Sequence, residues 1–202
     1  SESLVDGALD DKVIAQKFSN AILKNSEKLS YLLEDILNLS TIESGEYNLE
    51  LAENGVSDIF KNSINSVISN NPDLKIINNI SSDVEVICDV KALSQVIDNL
   101  IENSVKYGIS KECNEIIINM KDQGSKVRFE IEDHGQGIPA DQRERVFERF
   151  FRIQNNNTSL KEGTGLGLSI VKNLVNLMGG SVGNEKAYPR GTIFWFTLNK
   201  KN

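Results

Sequence analysis

The stretch Asp133-His134-Gly135-Gln136-Gly137 directly follows an alternating apolar segment, and a second glycine-rich stretch, Gly163-Thr164-Gly165-Leu166-Gly167-Leu168, comes after it. Upstream lies a third stretch, Asn99-Leu100-Ile101-Glu102-Asn103-Ser104-Val105-Lys106-Tyr107, which carries amides and a cation. Each stretch alone is weak evidence, because a plain turn or a solvated helix face also explains it. Their order predicts a site in which one helix and two glycine turns surround a nucleotide.

The overall composition limits the classes of function. The chain has 202 residues, of which 39% are hydrophobic and 25% charged, as is typical of a soluble globular domain with an extension. Its net charge of −7 disfavours nucleic acid as a partner, since binding the phosphate backbone needs a basic face. One histidine and two cysteines without metal-ligand spacing argue against a zinc site.

The start of the sequence and its hydropathy bear on the parent protein. The chain begins with Ser1 rather than Met, so we expect a fragment of a longer protein. No apolar run reaches the roughly 18 residues of a membrane-spanning helix. We therefore expect membrane attachment only through parent segments that this sequence does not include.

Residues 12–44 predict one long helix with a heptad seam. Apolar side chains recur at alternating spacings of three and four, with a single polar member. The seam comprises Ala15, Phe18, Ile22, Asn25, Leu29, Leu32, Ile36 and Leu39. Such a helix either packs on its own domain or pairs in a bundle, and the length of the seam favours a homodimer. Ser44-Gly45-Glu46 breaks the pattern, which predicts a domain boundary between residues 45 and 46.

The rest of the chain predicts strands grouped with interspersed helices. The expected strands are 47–51, 75–80, 84–88, 115–121, 126–132, 181–185 and 192–198, and the expected helices are 56–69, 90–107, 141–150 and 166–178. This order predicts an α+β fold with helices on one face of a mixed sheet.

The predicted helix 90–107 carries a polar face. Asn99, Asn103 and Lys106 are spaced i, i+4 and i+7, so they share that face. An amide oxygen from Asn103 suits Mg²⁺, and the ammonium of Lys106 suits a phosphate. For the helix alone, a solvated polar face is an equally good interpretation.

The two glycine-rich stretches suit the two ends of a nucleotide. Asp133 follows a strand, where its carboxylate can accept a hydrogen bond from an exocyclic amine and so select adenine. The stretch 163–168 precedes a helix, whose first N–H groups and positive dipole end bind phosphate. It is neither a dinucleotide-binding fingerprint nor a Walker A loop, because the spacings differ.

Taken together, these motifs resemble the ATP-binding domain of sensor histidine kinases, in the superfamily of gyrase, Hsp90, histidine kinase and MutL ATPases. The N, G1, F and G2 boxes and the closing motif of the family resemble residues 99–107, 133–137, 145–150, 163–168 and 191–196. The resemblance covers residues 47–198 and implies a two-layer α/β sandwich of the Bergerat type. Residues 1–46 are similar to part of the family's dimerisation and phosphotransfer hairpin, with 1–45 as that domain and 46–202 as the catalytic one.

The resemblance implies ATP and Mg²⁺ as ligands. Asn103 would coordinate Mg²⁺, with Asn99 and Lys106 beside the phosphates as the other catalytic residues. Tyr107 would lie along the adenine ring, and Asp133 would receive its amino group. The other implied nucleotide-binding residues are Gly135, Gly137, Gly163, Thr164, Gly165, Leu166, Gly167, Leu168 and Thr192. Residues 152–162 would form a lid anchored by Phe147 and Phe150, which the residues alone identify only as core positions.

The resemblance also implies an ATP-dependent protein-histidine kinase of the cytoplasm. It would transfer the γ-phosphoryl group to a histidine, for relay to an aspartate of a response-regulator receiver domain. His134 lies in the adenine motif at a position where the family most often has Asn, so the acceptor histidine is expected upstream of Ser1. The alternatives are a nucleotide-gated interaction module without catalysis and a serine/threonine kinase of the same fold, which would lack the hairpin.

Overall fold

A computed structural model describes residues 12–81, 84–109, 113–153 and 164–201. The helices are α1 (Lys12–Glu43), α2 (Val56–Asn70), α3 (Val90–Tyr107) and α4 (Gly167–Leu177), with short 3₁₀ turns at Ala140–Gln142 and Arg145–Phe147. The strands are β1 (Ala52–Gly55), β2 (Lys75–Asn78), β3 (Glu85–Cys88), β4 (Glu115–Asp122), β5 (Lys126–Asp133), β6 (Val182–Lys186) and β7 (Thr192–Asn199). The predictions for residues 1–11, for Gly163 and for most of the lid fall outside the described residues.

The main sheet is mixed and has helices packed on one face. Within the described ranges it contains five strands in the order β2-β4-β5-β7-β6, with β2 parallel to β4 and the other neighbours antiparallel. Phe129 of β5 lies between Phe60 of α2 and Phe196 of β7, at ring-centroid distances of 5.3 and 5.0 Å. The alternate residues of β5 that face the helices are buried, as one covered face requires. The predicted α+β fold is confirmed.

The strand predicted at 47–51 is wrong. The strand in this region is β1, which pairs antiparallel with β3 in a separate two-stranded sheet that the sequence pattern did not predict. Ala52 lies opposite Cys88 in this register, so the last residue of β3 is already paired. The N–H of Glu50 instead donates to the side chain of Asp89, at 2.9 Å.

The helix predicted at 141–150 is also wrong, because the segment forms the two 3₁₀ turns. Phe150 has a φ of +59°, which no right-handed helix accommodates, and its N–H donates to Gly165 rather than to a preceding turn. Phe147 is buried, as the core interpretation expects, but the side chain of Phe150 is 63% exposed. The core interpretation is therefore wrong for Phe150.

Asp89 holds the start of α3 and the segment before β1 together. Its Oδ1 accepts a hydrogen bond from the N–H of Ala92 as an N-cap, and its Oδ2 accepts one from Glu50, both at 2.9 Å. Burial alone would raise the pKa of Asp89, but the backbone donors outweigh it and lower that pKa. The helix begins and ends where predicted, with Gly108 as its C-cap.

The predicted long helix is confirmed as α1, whose end joins the core. Leu39 and Ile42 are buried in the main hydrophobic cluster, and α1 packs against α4. Farther from that end, apolar seam residues such as Ile22, Leu29 and Ile36 are exposed. The boundary at residue 45 stays a prediction. Among the described helices, none has both the length and the apolar character needed to cross a membrane.

Candidate functional site

Asp133, the last residue of β5, is the centre of one end of the site, which we call the base end (residues 107–108, 133–137 and 191–192). Its side chain is buried, and its Oδ1 accepts hydrogen bonds from the N–H groups of Gly135 at 2.9 Å and Thr192 at 3.3 Å. Burial raises the pKa of Asp133 above its ordinary value of 3.8, against the lowering effect of the two backbone donors. Both hydrogen bonds end on Oδ1, so Oδ2 is the oxygen with which this carboxylate can accept a hydrogen bond from a ligand.

The end of α3 packs directly on the turn after Asp133. A Cβ placed on Gly135 would overlap the backbone oxygen of Tyr107, and one on Gly108 would overlap the side chain of Asp133. The side chain of Tyr107 is partly exposed beside this turn. The structure therefore brings the predicted motifs at residues 99–107 and 133–137 into contact.

Gly191, just before β7, closes the base end from the other side. Its φ is +112°, and a Cβ there would overlap the carbonyl oxygen of Asp133 and lie 2.8 Å from the Cα of His134. Glycine is required on both counts, since L-residues rarely adopt such a φ. The carbonyl oxygen of Gly191 in turn faces Gly137, where a Cβ would lie 3.1 Å from it. Thr192 is buried opposite Asp133 in the β5–β7 register.

The sequence analysis assigns no site role to Gly108, or to Gly191 as an individual residue of the closing motif at residues 191–196. The sequence offered one indication of such a role, which is that each glycine is next to a predicted site residue: Gly108 follows Tyr107, and Gly191 precedes Thr192. Their role depends on close contact with Asp133, which is distant from both along the chain. Spacing within a motif carries no information about such a contact.

The other end of the site, which we call the phosphate end, comprises residues 99–106 of α3 and residues 164–168. The side-chain Nδ2 of Asn99 donates to the backbone oxygen of Gln95 at 2.9 Å, and its Oδ1 would lie 2.7 Å from a Cβ on Gly167. The side chain of Asn103, one turn further along α3, is partly buried and has no hydrogen bond to the described residues. Lys106 is exposed and pairs with Glu102 at 2.8 Å.

The turn at residues 164–168 leads into α4. Thr164 accepts a hydrogen bond on its Oγ1 from the N–H of Leu166, at 3.1 Å. Leu166 is fully buried, and Leu168 packs against the core from a partly buried position. Gly165 has a φ of +74°. Because the first N–H groups of an α-helix have no partner within it and lie at the positive end of its dipole, this turn is suited to an anion.

The possible metal ligands at the phosphate end suit Mg²⁺ that is shared with a nucleotide better than a metal ion that only protein side chains hold. Within the described part of the chain, no cluster of three or more His, Cys, Asp or Glu side chains could hold a metal ion. The half-buried amide of Asn103, which has no partner there, offers one oxygen ligand. Mg²⁺ commonly binds through one or two protein oxygens together with phosphate and water.

The comparisons with known proteins agree with this geometry. Residues 88–202 match the family model described as "Histidine kinase-, DNA gyrase B-, and HSP90-like ATPase". The chain belongs to this family of ATPase domains.

Two curated relatives indicate which class of ATPase domain this chain resembles most. The sensory/regulatory protein RpfC of Xanthomonas campestris pv. campestris is 31% identical over 190 residues, which cover 89% of this chain and 26% of RpfC. The sensor histidine kinase WalK of Bacillus subtilis is 30% identical over 202 residues, which cover 99% of this chain and 33% of WalK. The chain thus spans about a quarter to a third of the length of these two relatives.

Solved structures agree with the relatives. Full-length ShkA in complex with AMPPNP superposes with a TM-score of 0.75 at 26% identity, over 92% of this chain and 39% of ShkA. The histidine kinase AdeS of Acinetobacter baumannii gives 0.76 at 22% identity, over 100% of this chain and 93% of that one, and shows the fold alone. The chain therefore contains a catalytic ATP-binding domain of the sensor histidine kinase type, and the resemblance inferred from its motifs is confirmed.

Proposed function

We propose that this chain binds Mg·ATP and transfers the γ-phosphoryl group to a histidine outside it, for relay to an aspartate of a response-regulator receiver domain. The convergence of the motifs carries the proposal. Asp133 contacts the end of α3 and Gly191, while Asn99 of α3 meets Gly167 at the start of α4. One helix thereby joins a buried carboxylate to an anion-binding turn, the two features that an adenine and its phosphates need.

At the base end, the proposed contact is between Oδ2 of Asp133 and the adenine amino group. The two backbone N–H groups on Oδ1 hold the carboxylate in place, so the free oxygen has a defined direction. Tyr107 would lie along the ring, with Gly135, Gly137 and Thr192 as the walls. A buried carboxylate that accepts one amine donor favours adenine over bases that present a carbonyl there.

At the phosphate end, Asn103 would hold Mg²⁺ through its amide oxygen. When bound, Mg²⁺ neutralises charge on the phosphates and orients them. Lys106 would turn its ammonium from Glu102 towards a phosphate, and the first N–H groups of α4 would donate to phosphate oxygens. Gly163 and residues 164–168 complete this end in the proposal.

Asn99 favours transfer to a nucleophile over hydrolysis. Its Nδ2 is occupied by the backbone oxygen of Gln95, and an amide cannot take a proton from water as a general base. The acceptor must therefore be a good nucleophile by itself, as a histidine is. His134, the only histidine in the sequence, lies at the base end next to Asp133, so in this proposal the acceptor belongs to another polypeptide segment.

The exposed seam of α1 supports a homodimer, and the proposal assigns this homodimer to the cytoplasm. Ile22, Leu29 and Ile36 repeat at heptad spacing and are exposed along the helix. A second copy of α1 would cover them in a bundle. Attachment to a membrane would come only through other parts of the parent protein.

Two measurements test the proposed function. With γ-labelled Mg·ATP, the chain alone should bind nucleotide without acquiring acid-labile phosphate, and a separate fragment with the preceding helix and its histidine should become labelled. Stable acid-labile label on this chain would refute the assignment of the acceptor. Nucleotide binding with no transfer to the added fragment would instead favour the interaction module.

The variant Asn103→Ala distinguishes the contribution of the metal to ATP binding from that of the nucleotide itself. The variant should bind ATP more weakly than the wild type in Mg²⁺, and equally well in EDTA, because only the metal ligand is removed. Equal affinities in Mg²⁺ would contradict the role of Asn103.

A further inference from the structure

Phe150 holds a backbone conformation that an aromatic residue rarely adopts. Its φ of +59° lies in the left-handed region. Among the residues that the structure describes, Phe150 is the only non-glycine residue with a positive φ. The side chain is 63% exposed, so burial of the ring does little to offset the strain. A strained conformation persists only where its surroundings enforce it.

The enforcing partner is Gly165. The N–H of Phe150 donates to the backbone oxygen of Gly165 at 2.9 Å. Gly165 is itself left-handed, and a Cβ there would lie 2.9 Å from both the Cα and the carbonyl carbon of Phe150. We call this pair of touching left-handed residues the Phe150–Gly165 latch.

Both sides of the latch are anchored in the core. On one side, Phe147 is buried edge-on to Phe194 at a centroid distance of 6.4 Å, and Arg145 stacks over Phe151 at 4.4 Å. On the other side, Gly165 is followed by Leu166, which is fully buried at the start of α4. The latch therefore fixes the turn at residues 164–168 relative to the 3₁₀ segment.

We infer that Phe150 is a positioning residue that acts through its left-handed backbone, not through its ring, to set the turn that receives the phosphates. The inference rests on the proposed function of that turn. The φ of residue 150 sets the rotation between the peptide that carries its N–H and the backbone that follows it. In a right-handed conformation, residue 150 could not keep its N–H on the oxygen of Gly165 while its Cα and carbonyl carbon stay against Gly165, so the turn would lose its tie to the 3₁₀ segment.

Substitutions that differ in tolerance of positive φ test the latch. Glycine and asparagine adopt the left-handed region readily, whereas β-branched valine does not. We expect Phe150→Gly and Phe150→Asn to bind Mg·ATP within about twofold of wild type, and Phe150→Val about tenfold more weakly. Adenosine affinity should stay within about twofold in all three variants, because the base end does not depend on the latch.

Every other pattern overturns the inference. Equal losses of ATP affinity in the three variants would show that the ring itself makes the contact. Equal retention would show that the turn does not need the latch. A parallel loss of adenosine affinity in Phe150→Val would show general damage to the site.

Hydrogen exchange of the amide of residue 150 shows, without nucleotide, whether its hydrogen bond to Gly165 is present. We expect protection in the wild type and in the Gly and Asn variants, and fast exchange in Phe150→Val. Fast exchange in the wild type would overturn the inference. If the wild type bound neither ATP nor adenosine, the proposed function would fail, while this exchange measurement would still decide whether the latch exists.

Discussion

The base end and the phosphate end of the site are built by different means. At the base end, Asp133 is buried in the sheet, held by two backbone donors and enclosed by Gly191. At the phosphate end, Asn103 and Lys106 lie on a partly exposed helix face, and the turn depends on the latch. The base end is preformed by the same contacts that hold the sheet together. Changes at the base end should lower stability or base selectivity, depending on the residue, whereas changes at the phosphate end should alter the affinity for the nucleotide.

The largest effect is expected for Gly191→Ala. The new methyl group would overlap the carbonyl oxygen of Asp133 and also strain the backbone, which should lower the free energy of unfolding by about 2–4 kcal/mol. The matched control is Gly124→Ala in the β4–β5 hairpin, where φ is +82° and nothing lies within 4 Å of the new Cβ. It should lose only about 1 kcal/mol. Urea denaturation measures both, and equal losses would contradict the close contact at Gly191.

Asp133→Asn should change base selectivity while leaving the fold intact. The amide oxygen can still accept from Gly135 and Thr192, but an NH₂ group would replace Oδ2 and face the adenine amine. ATP affinity should fall about 10- to 100-fold, the effect of losing a charge-assisted hydrogen bond. Inosine triphosphate, which presents an oxygen there, should lose less or gain. An unchanged ratio of ATP to inosine triphosphate affinity would mean that Asp133 does not read the base.

The pH dependence of binding should report on Asp133. Its raised pKa means that the folded protein protonates this carboxyl at a higher pH than an ordinary aspartate, and the adenine amine needs the charged form. ATP affinity should therefore fall as pH drops through this raised pKa, by up to about tenfold per pH unit below it. Asp133→Asn is the control, since titration of the nucleotide affects both proteins alike. Identical pH profiles would rule out the carboxylate contact.

The smallest effect is expected for Glu102→Gln. The Glu102–Lys106 pair is exposed, and such i,i+4 pairs contribute about 0.3–0.5 kcal/mol. Without this competing carboxylate, Lys106 should bind phosphate about twofold better, measured as ATP affinity at low salt. Asp58→Asn removes the same charge from the exposed Asp58–Lys61 pair on α2 and should have no effect. Equal gains in both variants would point to net charge rather than to Lys106.

Local signals made much of the fold predictable, and contacts between distant segments account for the errors. The bounds of α3 follow from Asp89 before it and Gly108 after it, both visible in the sequence. β1 is polar, with the sequence Ala-Glu-Asn-Gly, and forms because β3 pairs with it. No periodicity marks such a strand. The alternation of Tyr47 and Leu49 instead reflects side chains that pack on the core without strand pairing.

The site shows the same division between local and distant information. The residue types at Asn103, Asp133 and Gly165 were sufficient to predict a nucleotide between helix and turns, because each belongs to a short motif. The latch was unpredictable, since it depends on Gly165 accepting a hydrogen bond from a residue that sequence alone assigns to the core. The roles of the individual site residues stay predictions until the variants are measured.

The burial of Leu39 and Ile42 at the end of α1 has a consequence for any movement of the predicted catalytic domain away from this helix. Exposing two such side chains to water costs about 3–6 kcal/mol at the usual value for a large aliphatic residue. On that basis, the separated arrangement would account for about 1% of molecules or fewer. Any signal that separates the rest of the chain from α1 must therefore provide contacts of similar free energy. The burial of these two side chains sets the minimum free energy that such a signal has to supply.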